Sequence, residues 1–371
     1  MDASTSAAAA SQRQAATPAL PAAAVELRER VEAALGAHLD RTATRLATLD
    51  PTLAPVHEEL RAFVASGKRL RPVLLLLGYR AGGGRDPDAV MGPAIGLELL
   101  HTCALIHDDL IDDADVRRGR AAVHVAFASR YAAAGRDGDA GRFGSAAALL
   151  VGDLSLAQAD GAFLDARVPP ERLTAALREF GTLREELMAG QYLDVDAASR
   201  GAVPADVALR IASLKSGRYS VALPLRIGAV LAGADPAVSD GLAAAGVPLG
   251  QAFQLRDDVL GVFGHSAETG KPADSDLIED KRTTLVALTR ERLGGDELAR
   301  FDGLLGRPDL GGGDAEWLRA AMVESGGRAA VEALAERLLD EGCARLGALG
   351  LERQVSDDLI ELARFLVTRR A

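Results

Sequence analysis

Apolar residues recur at three- and four-residue spacing over long stretches of the chain, as in Val25–Leu49, Leu173–Leu193 and Ala329–Leu349. No stretch of useful length alternates apolar and polar positions, so helices are predicted nearly throughout and strands nowhere. Pro, Gly and Asp punctuate the pattern at Asp50–Pro55, Ser66–Pro72, Ala81–Gly84, Gly135–Gly144, Ala198–Pro204 and Leu305–Gly313. Pro72 suits a first helical position, where a missing N–H is harmless. A long helix is predicted from Met91 to about Asp113. His265–Asp276, with Gly270, Pro272 and alternating charges, reads as a mobile loop beside a site. The helical pattern resumes unchanged after each break, so a single all-α domain is expected rather than two.

Composition agrees, with Ala, Leu, Arg and Glu abundant and aromatics at 4%. Residues 1–24 are rich in Ala, Ser, Thr and Gln and lack the charged start and apolar centre of a secretion signal. They are expected to be a disordered tail, with the folded domain at 25–371. The net charge of −11 disfavours nucleic acid as a partner. Two isolated cysteines, Cys103 and Cys343, suggest a reducing, cytoplasmic setting. No uninterrupted apolar run approaches a membrane span, so no transmembrane segment is expected. Of 42 basic residues only four are Lys: Lys68, Lys215, Lys271 and Lys281. A compact ammonium differs from a planar guanidinium fork, so each retained Lys is a candidate site residue.

Acidic residues point to one chemistry in particular. Asp108, Asp109 and Asp112 stand at i, i+1 and i+4 of the long helix. Positions i and i+4 share a face, roughly 5–6 Å apart at Cβ, so Asp108 and Asp112 can grip a hard cation. Mg²⁺ suits one or two carboxylates supplemented by water and substrate phosphate oxygens. Flanking Leu105, Ile106, Leu110 and Ile111 argue against a merely solvated acidic face. Arg117 and Arg118 follow at once, and adjacent guanidinium groups suit phosphate. Acids for a metal beside arginines for phosphate describe a site for a magnesium diphosphate.

Further candidates lie elsewhere along the chain. Gly67–Pro72 is a cationic turn holding Lys68 and Arg71, and His101 lies two helical turns before Asp108. Gln191 and Asp194 share a face at i, i+3, and Lys215-Ser216 opens another helical segment. Gln254, Asp257 and Asp258 form a second acidic cluster, followed by Lys271 and Lys281 on either side of Asp276.

Together these segments resemble the trans-isoprenyl diphosphate synthases, or polyprenyl synthetases, from about Val25 to the C-terminus. Gly67-Lys68-Arg69-Leu70-Arg71-Pro72 is similar to that family's isopentenyl diphosphate turn, and His101 matches another position of the same subsite. Asp108-Asp109-Leu110-Ile111-Asp112 resembles its first aspartate-rich motif and Asp257-Asp258 its second. The resemblance implies that Arg117 faces the allylic diphosphate and Arg118 the isopentenyl diphosphate. Gln191 and Asp194 match Gly-Gln-x-x-Asp, and Lys215 and Ser216 match a Lys-Thr pair near the allylic diphosphate. Lys271 falls in the lid that follows the second motif. One position departs: the second motif ends in Gly261 where the family has Asp, leaving Asp257 as the main ligand on that side.

The resemblance implies an all-α helical bundle around a deep central cavity, usually a homodimer, with Mg²⁺ as cofactor. It implies C5 addition of isopentenyl diphosphate to dimethylallyl, geranyl or farnesyl diphosphate. Arg117, Lys215 and Lys271 would neutralise the departing diphosphate, while Gln191, Asp194, Ser216 and Gln254 steady the allylic cation. One turn before Asp108 sit Cys103 and Ala104, both small, with Leu99 and Leu100 a turn further. That floor predicts a C20 product, geranylgeranyl diphosphate, with farnesyl or longer products as alternatives. A terpene cyclase would not need Gly67–Pro72 or His101, and a non-catalytic partner subunit would not need both acidic motifs.

Overall fold

The stripes read from periodicity are the buried faces of helices. The computed structural model describes residues 20–264 and 274–368. Its elements run α1 (Ala22–Leu49), α2 (Ala54–Val64), α3 (Leu70–Ala81), α4 (Met91–Ile111), a short hairpin of β1 (Val116–Arg117) and β2 (Arg120–Ala121), α5 (Val123–Ala133), α6 (Ala140–Leu164), α7 (Pro170–Arg200) and α8 (Ala205–Ala212). A π-helix over Ser213–Ala222 follows. Then come α9 (Leu223–Ala232), α10 (Pro236–Phe263), α11 (Ser275–Ile278), α12 (Thr284–Arg290), α13 (Gly295–Leu304), α14 (Gly312–Glu324), α15 (Gly327–Gly347) and α16 (Arg353–Thr368). In α1 the buried residues are Ala24, Leu27, Val31, Leu35, Leu39, Thr42 and Leu46, one stripe at three- and four-residue spacing. The helical body begins at Ala22, behind Pro21, three residues earlier than expected. Residues 1–19 of the expected tail lie outside the described residues.

Helix α4 is buried on nearly every side and packs along α6. Its C-terminal two-thirds, from Glu98 onward, turns polar groups toward the site. The criterion of an uninterrupted apolar run overlooked two segments. Pro87–Ile111 and Ala140–Leu164 are long and apolar enough to cross a membrane, because scattered polar residues such as Glu98 and His101 broke the run without lowering its mean. The first has 72% of its most apolar window buried inside the bundle, as a core helix does; the second has 44%.

Two other details differ from expectation. Helix α3 begins at Leu70, so Pro72 is its third residue; this is still the first turn, whose N–H groups lack intrahelical partners. The β1–β2 hairpin was not predicted. Arg118 and Gly119 both have positive φ (54° and 73°), the two-residue turn that reverses a tight hairpin. Val116 pairs with Ala121 and Arg117 with Arg120. The reversal sends Arg117 and Arg118 to different partners.

Candidate active site

The end of α4 divides its acids by helical geometry. Asp108 and Asp112 share a face, whereas Asp109 lies about 100° around the helix. Asp109 is buried and accepts a 2.6 Å bond from Arg117 Nε. Expected among the metal ligands, it uses Oδ1 to fix that guanidinium. Arg117 Nη2 also stands 3.5 Å from Asp108 Oδ2.

Asp108 gathers partners from three elements. Gln191 Nε2 on α7 donates to its Oδ1 at 3.0 Å, and Lys215 Nζ on the π-helix lies 3.2 Å from the same oxygen. Lys215 also binds Asp194 Oδ2 at 2.6 Å. Burial alone would raise the Asp108 carboxyl, but Lys215, Lys281 and Arg117 together pull it down to about 2. Asp112 is different: burial and the neighbouring Asp108 charge push it up to about 6. Its buried Oδ2 has no hydrogen-bond partner among the described residues.

Close backbone packing sets these distances. A β-carbon at Gly190 would come within 2.4 Å of Lys215 N, so only glycine lets α7 seat against the π-helix there. Gly217 and Gly250 meet likewise, with 2.2 Å from a β-carbon at Gly250 to Gly217 O. Lys215 is thereby pressed toward α4 and α7, and Ser216 sits half-buried beside it.

Helix α10 carries the second cluster. Asp258 is buried and accepts from Gln254 Nε2 at 2.8 Å. Burial, outweighing that bond, and the charges of Asp276 and Asp257 push Asp258 up to about 7. Asp257 is half-buried beside it. Lys281 connects the two sides. Its Nζ lies 2.7 Å from Glu279 and 3.3 Å from Asp276. Burial opposes its charge, but Asp276, Glu279, Asp108 and Asp112 outweigh burial and hold it protonated. The same ammonium acts on Asp112 and on Asp258. Lys281 thus lies within electrostatic reach of both acidic sets. Lys271 lies outside the described residues.

A cationic pocket adjoins this acidic one. Arg69 has a left-handed backbone (φ 52°), which turns its side chain inward. It is 2% exposed and donates to Glu98 at 2.7 Å and to both oxygens of Glu32. With Arg69 so anchored, Lys68 is left exposed and Arg71 stacks 4.2 Å over the Tyr219 ring, donating to Ser220 Oγ at 2.7 Å. Arg118 donates to the carbonyls of Phe63 and Ser66. A small recess opens between Arg117, Arg118, Phe63 and Ser66. His101 Nδ1 lies 2.6 Å from the Tyr219 hydroxyl. Burial, aided by Arg71 and Arg118, holds His101 well below its usual value and so neutral. Burial raises the Tyr219 phenol to about 12, so it stays protonated at neutral pH.

The residues fit a hard divalent cation. Asp108, Asp112 and Asp257 offer oxygen ligands, and the buried Asp112 Oδ2, without a hydrogen-bond partner among the described residues, is an acceptor a cation could use. Among the described residues no three acid, His or Cys side chains form a ready-made cage. Mg²⁺ characteristically completes such sparse sites with substrate phosphates and water. Arg69, Glu98, Tyr219, Asp276 and Glu279 were not assigned from sequence, whereas the scarcity of Lys had marked Lys281 as a candidate.

Residues 54–311 match the family profile described as polyprenyl synthetase. A (2E,6E)-farnesyl diphosphate synthase of Mycobacterium bovis is 34% identical over 82% of this chain and 80% of its own length. A geranylfarnesyl diphosphate synthase of Natronomonas pharaonis is 32% identical over 82% of this chain and 87% of its own. Among solved structures, the geranylgeranyl pyrophosphate synthase of Corynebacterium glutamicum, complexed with isoprenyl diphosphate and magnesium, superposes with a TM-score of 0.88. It shares 32% identity and is covered over its full length, with 95% of this chain matched. On the match of profile, relatives and fold, the chain belongs to the polyprenyl synthetase family.

Proposed function

We propose that this chain is a Mg²⁺-dependent prenyl diphosphate synthase that joins isopentenyl diphosphate head-to-tail (1′-4) to dimethylallyl, geranyl and farnesyl diphosphates, ending at C20 geranylgeranyl diphosphate. Membership of the family makes it a prenyltransferase. The observation that carries the fuller reading is Asp108 held between Lys215, Gln191 and Arg117, with Lys281 in electrostatic reach of it and of the second acidic cluster, next to the Arg71–His101 pocket.

Asp108, Asp112 and Asp257 would hold Mg²⁺, which would supply Lewis-acid neutralisation of the allylic diphosphate. Arg117 and Lys215 add fixed positive charge where the leaving group gains negative charge. Lys271 is proposed to join them. Lys68, Arg71, Arg118 and His101 bind and orient the isopentenyl diphosphate. As the allylic C–O bond breaks, the isopentenyl double bond attacks the freed carbon and a C–C bond forms. The proton lost from the adjacent carbon passes to the released diphosphate. Gln191, Asp194, Ser216 and Gln254 present oxygen atoms toward the transient cation.

Cys103 and Ala104 support the C20 assignment, since neither blocks a growing tail one turn below Asp108. The relatives bear names of three different products, so product length rests on that floor. Residues 25–371 form the proposed catalytic domain. Exposed Leu149, Leu150 and Leu164 on α6 support a homodimer, and the two free thiols support a cytoplasmic setting. One incubation tests the function: isopentenyl diphosphate with each allylic starter and Mg²⁺, followed by chromatography. Geranylgeranyl diphosphate from all three starters is expected; absence of any elongated product refutes the assignment.

A further inference from the structure

The second acidic motif is one carboxylate short in sequence, because Gly261 stands one turn after Asp257. In space the notch is filled. A β-carbon at Gly261 would lie 1.7 Å from Asp276 Oδ2 and 2.9 Å from its Cγ. Any side chain at 261 would have to push that carboxyl aside, so the Asp276 carboxyl occupies the volume where a residue-261 side chain would begin. Positions 257 and 261 are i and i+4 on one face of α10. The carboxylate of Asp276 thus stands one turn from Asp257, the relation that Asp112 bears to Asp108 on α4.

The segment carrying Asp276 is anchored rather than draped. Arg319 on α14 donates to Val262 O at 2.7 Å and pairs with Asp274, tying the end of α10 to the residues before α11. Leu277 is buried, and its carbonyl accepts from Gly306 N–H at 2.9 Å. Asp276 reaches Gly261 on one side and Lys281, at 3.3 Å, on the other. Lys281 in turn feels Asp108 and Asp112. Glycine weakens a helix interior relative to alanine. A glycine inside α10 is explained if its missing side chain makes room for an acid from elsewhere.

We infer that Asp276 is the third carboxylate of the second metal half-site, delivered from α11 into the notch left by Gly261. The inference rests on the prenyl diphosphate synthase reading above. Its rival is that Asp276 serves only as counter-ion to Lys281. The two differ in what a substitution does to metal binding without turnover.

The test uses the full chain, Mn²⁺ as probe and inorganic diphosphate as the only anion, read by electron paramagnetic resonance and calorimetry. Asp276→Asn and Gly261→Ala, which displaces the carboxylate by one methyl, should each weaken diphosphate-dependent Mn²⁺ binding about 10- to 100-fold. The exchange Gly261→Asp with Asp276→Gly should restore it to within a few-fold of the parent, since the acid returns to the same volume. Parent-like Mn²⁺ binding in Asp276→Asn, with or without a lowered melting temperature, overturns the inference. Failure of the exchange to restore binding overturns it too. If the parent itself binds no Mn²⁺ with diphosphate, the proposed function falls along with it. Gly261→Ala keeps the test decisive should Asp276→Asn not fold.

Discussion

Lys215 is held by two carboxylates, Asp108 and Asp194, and its ammonium is the positive charge next to the first acid motif. Replacing it with Gln should lower kcat/KM by about 10²–10³, the usual cost of removing one preorganised charge donor. Steady-state kinetics check this, and a loss under threefold would count against the role. Titration offers a second test. Asp112 and Asp258 have carboxyls raised to about 6 and about 7. A raised acid destabilises the fold as pH climbs from its unfolded value through its folded one, so the metal-free protein should lose stability between about pH 4 and 8. Loading with Mg²⁺ and diphosphate should release protons at pH 6 and few at pH 8. Calorimetry in buffers of different ionisation enthalpy reads that release. At Cys103, which is fully buried, Phe should shorten the product while costing about 1–3 kcal/mol of stability through overpacking. An unchanged product distribution would count against the proposed floor.

At the scale of elements, the Ser66–Pro72 turn depends on a pair that sequence did not single out. Lys68, Arg69 and Arg71 are equivalent letters in a cationic run; only the left-handed φ at Arg69 sends that one inward to Glu98. Glu98→Gln leaves a buried guanidinium underpaired and should destabilise the fold by about 3–5 kcal/mol. The KM for isopentenyl diphosphate should rise more than that for the allylic partner. Denaturant melts and two-substrate kinetics check both. Helix faces were legible because a 3.6-residue period maps directly onto burial, as in α1 and α7. Pairing at i, i+4 likewise placed Asp108 and Asp112 together. The π-helix was not legible, since its register departs from that period. Nor was the filling of the Gly261 notch by Asp276, a contact between residues that no local spacing relates. The pairing of Asp109 with Arg117 followed from a hairpin too short to leave a pattern.

For the whole molecule, the acid and base sets converge because α4, α7, the π-helix, α10 and α11 all bring residues to one end of the bundle. Helix α6 leaves Leu149 and Leu150 exposed, with Leu150 at 65%. Leu150→Glu should turn the proposed homodimer into a monomer in light scattering; a parent already monomeric would refute the dimer. The central claim is that two facing carboxylate sets close on one diphosphate. A crystal structure with Mg²⁺ and inorganic diphosphate tests it most directly. The account predicts ions bound to Asp108 and Asp112 on one flank of the diphosphate and to Asp257 on the other. Ions confined to one acidic set, or a diphosphate bound away from both, would contradict it.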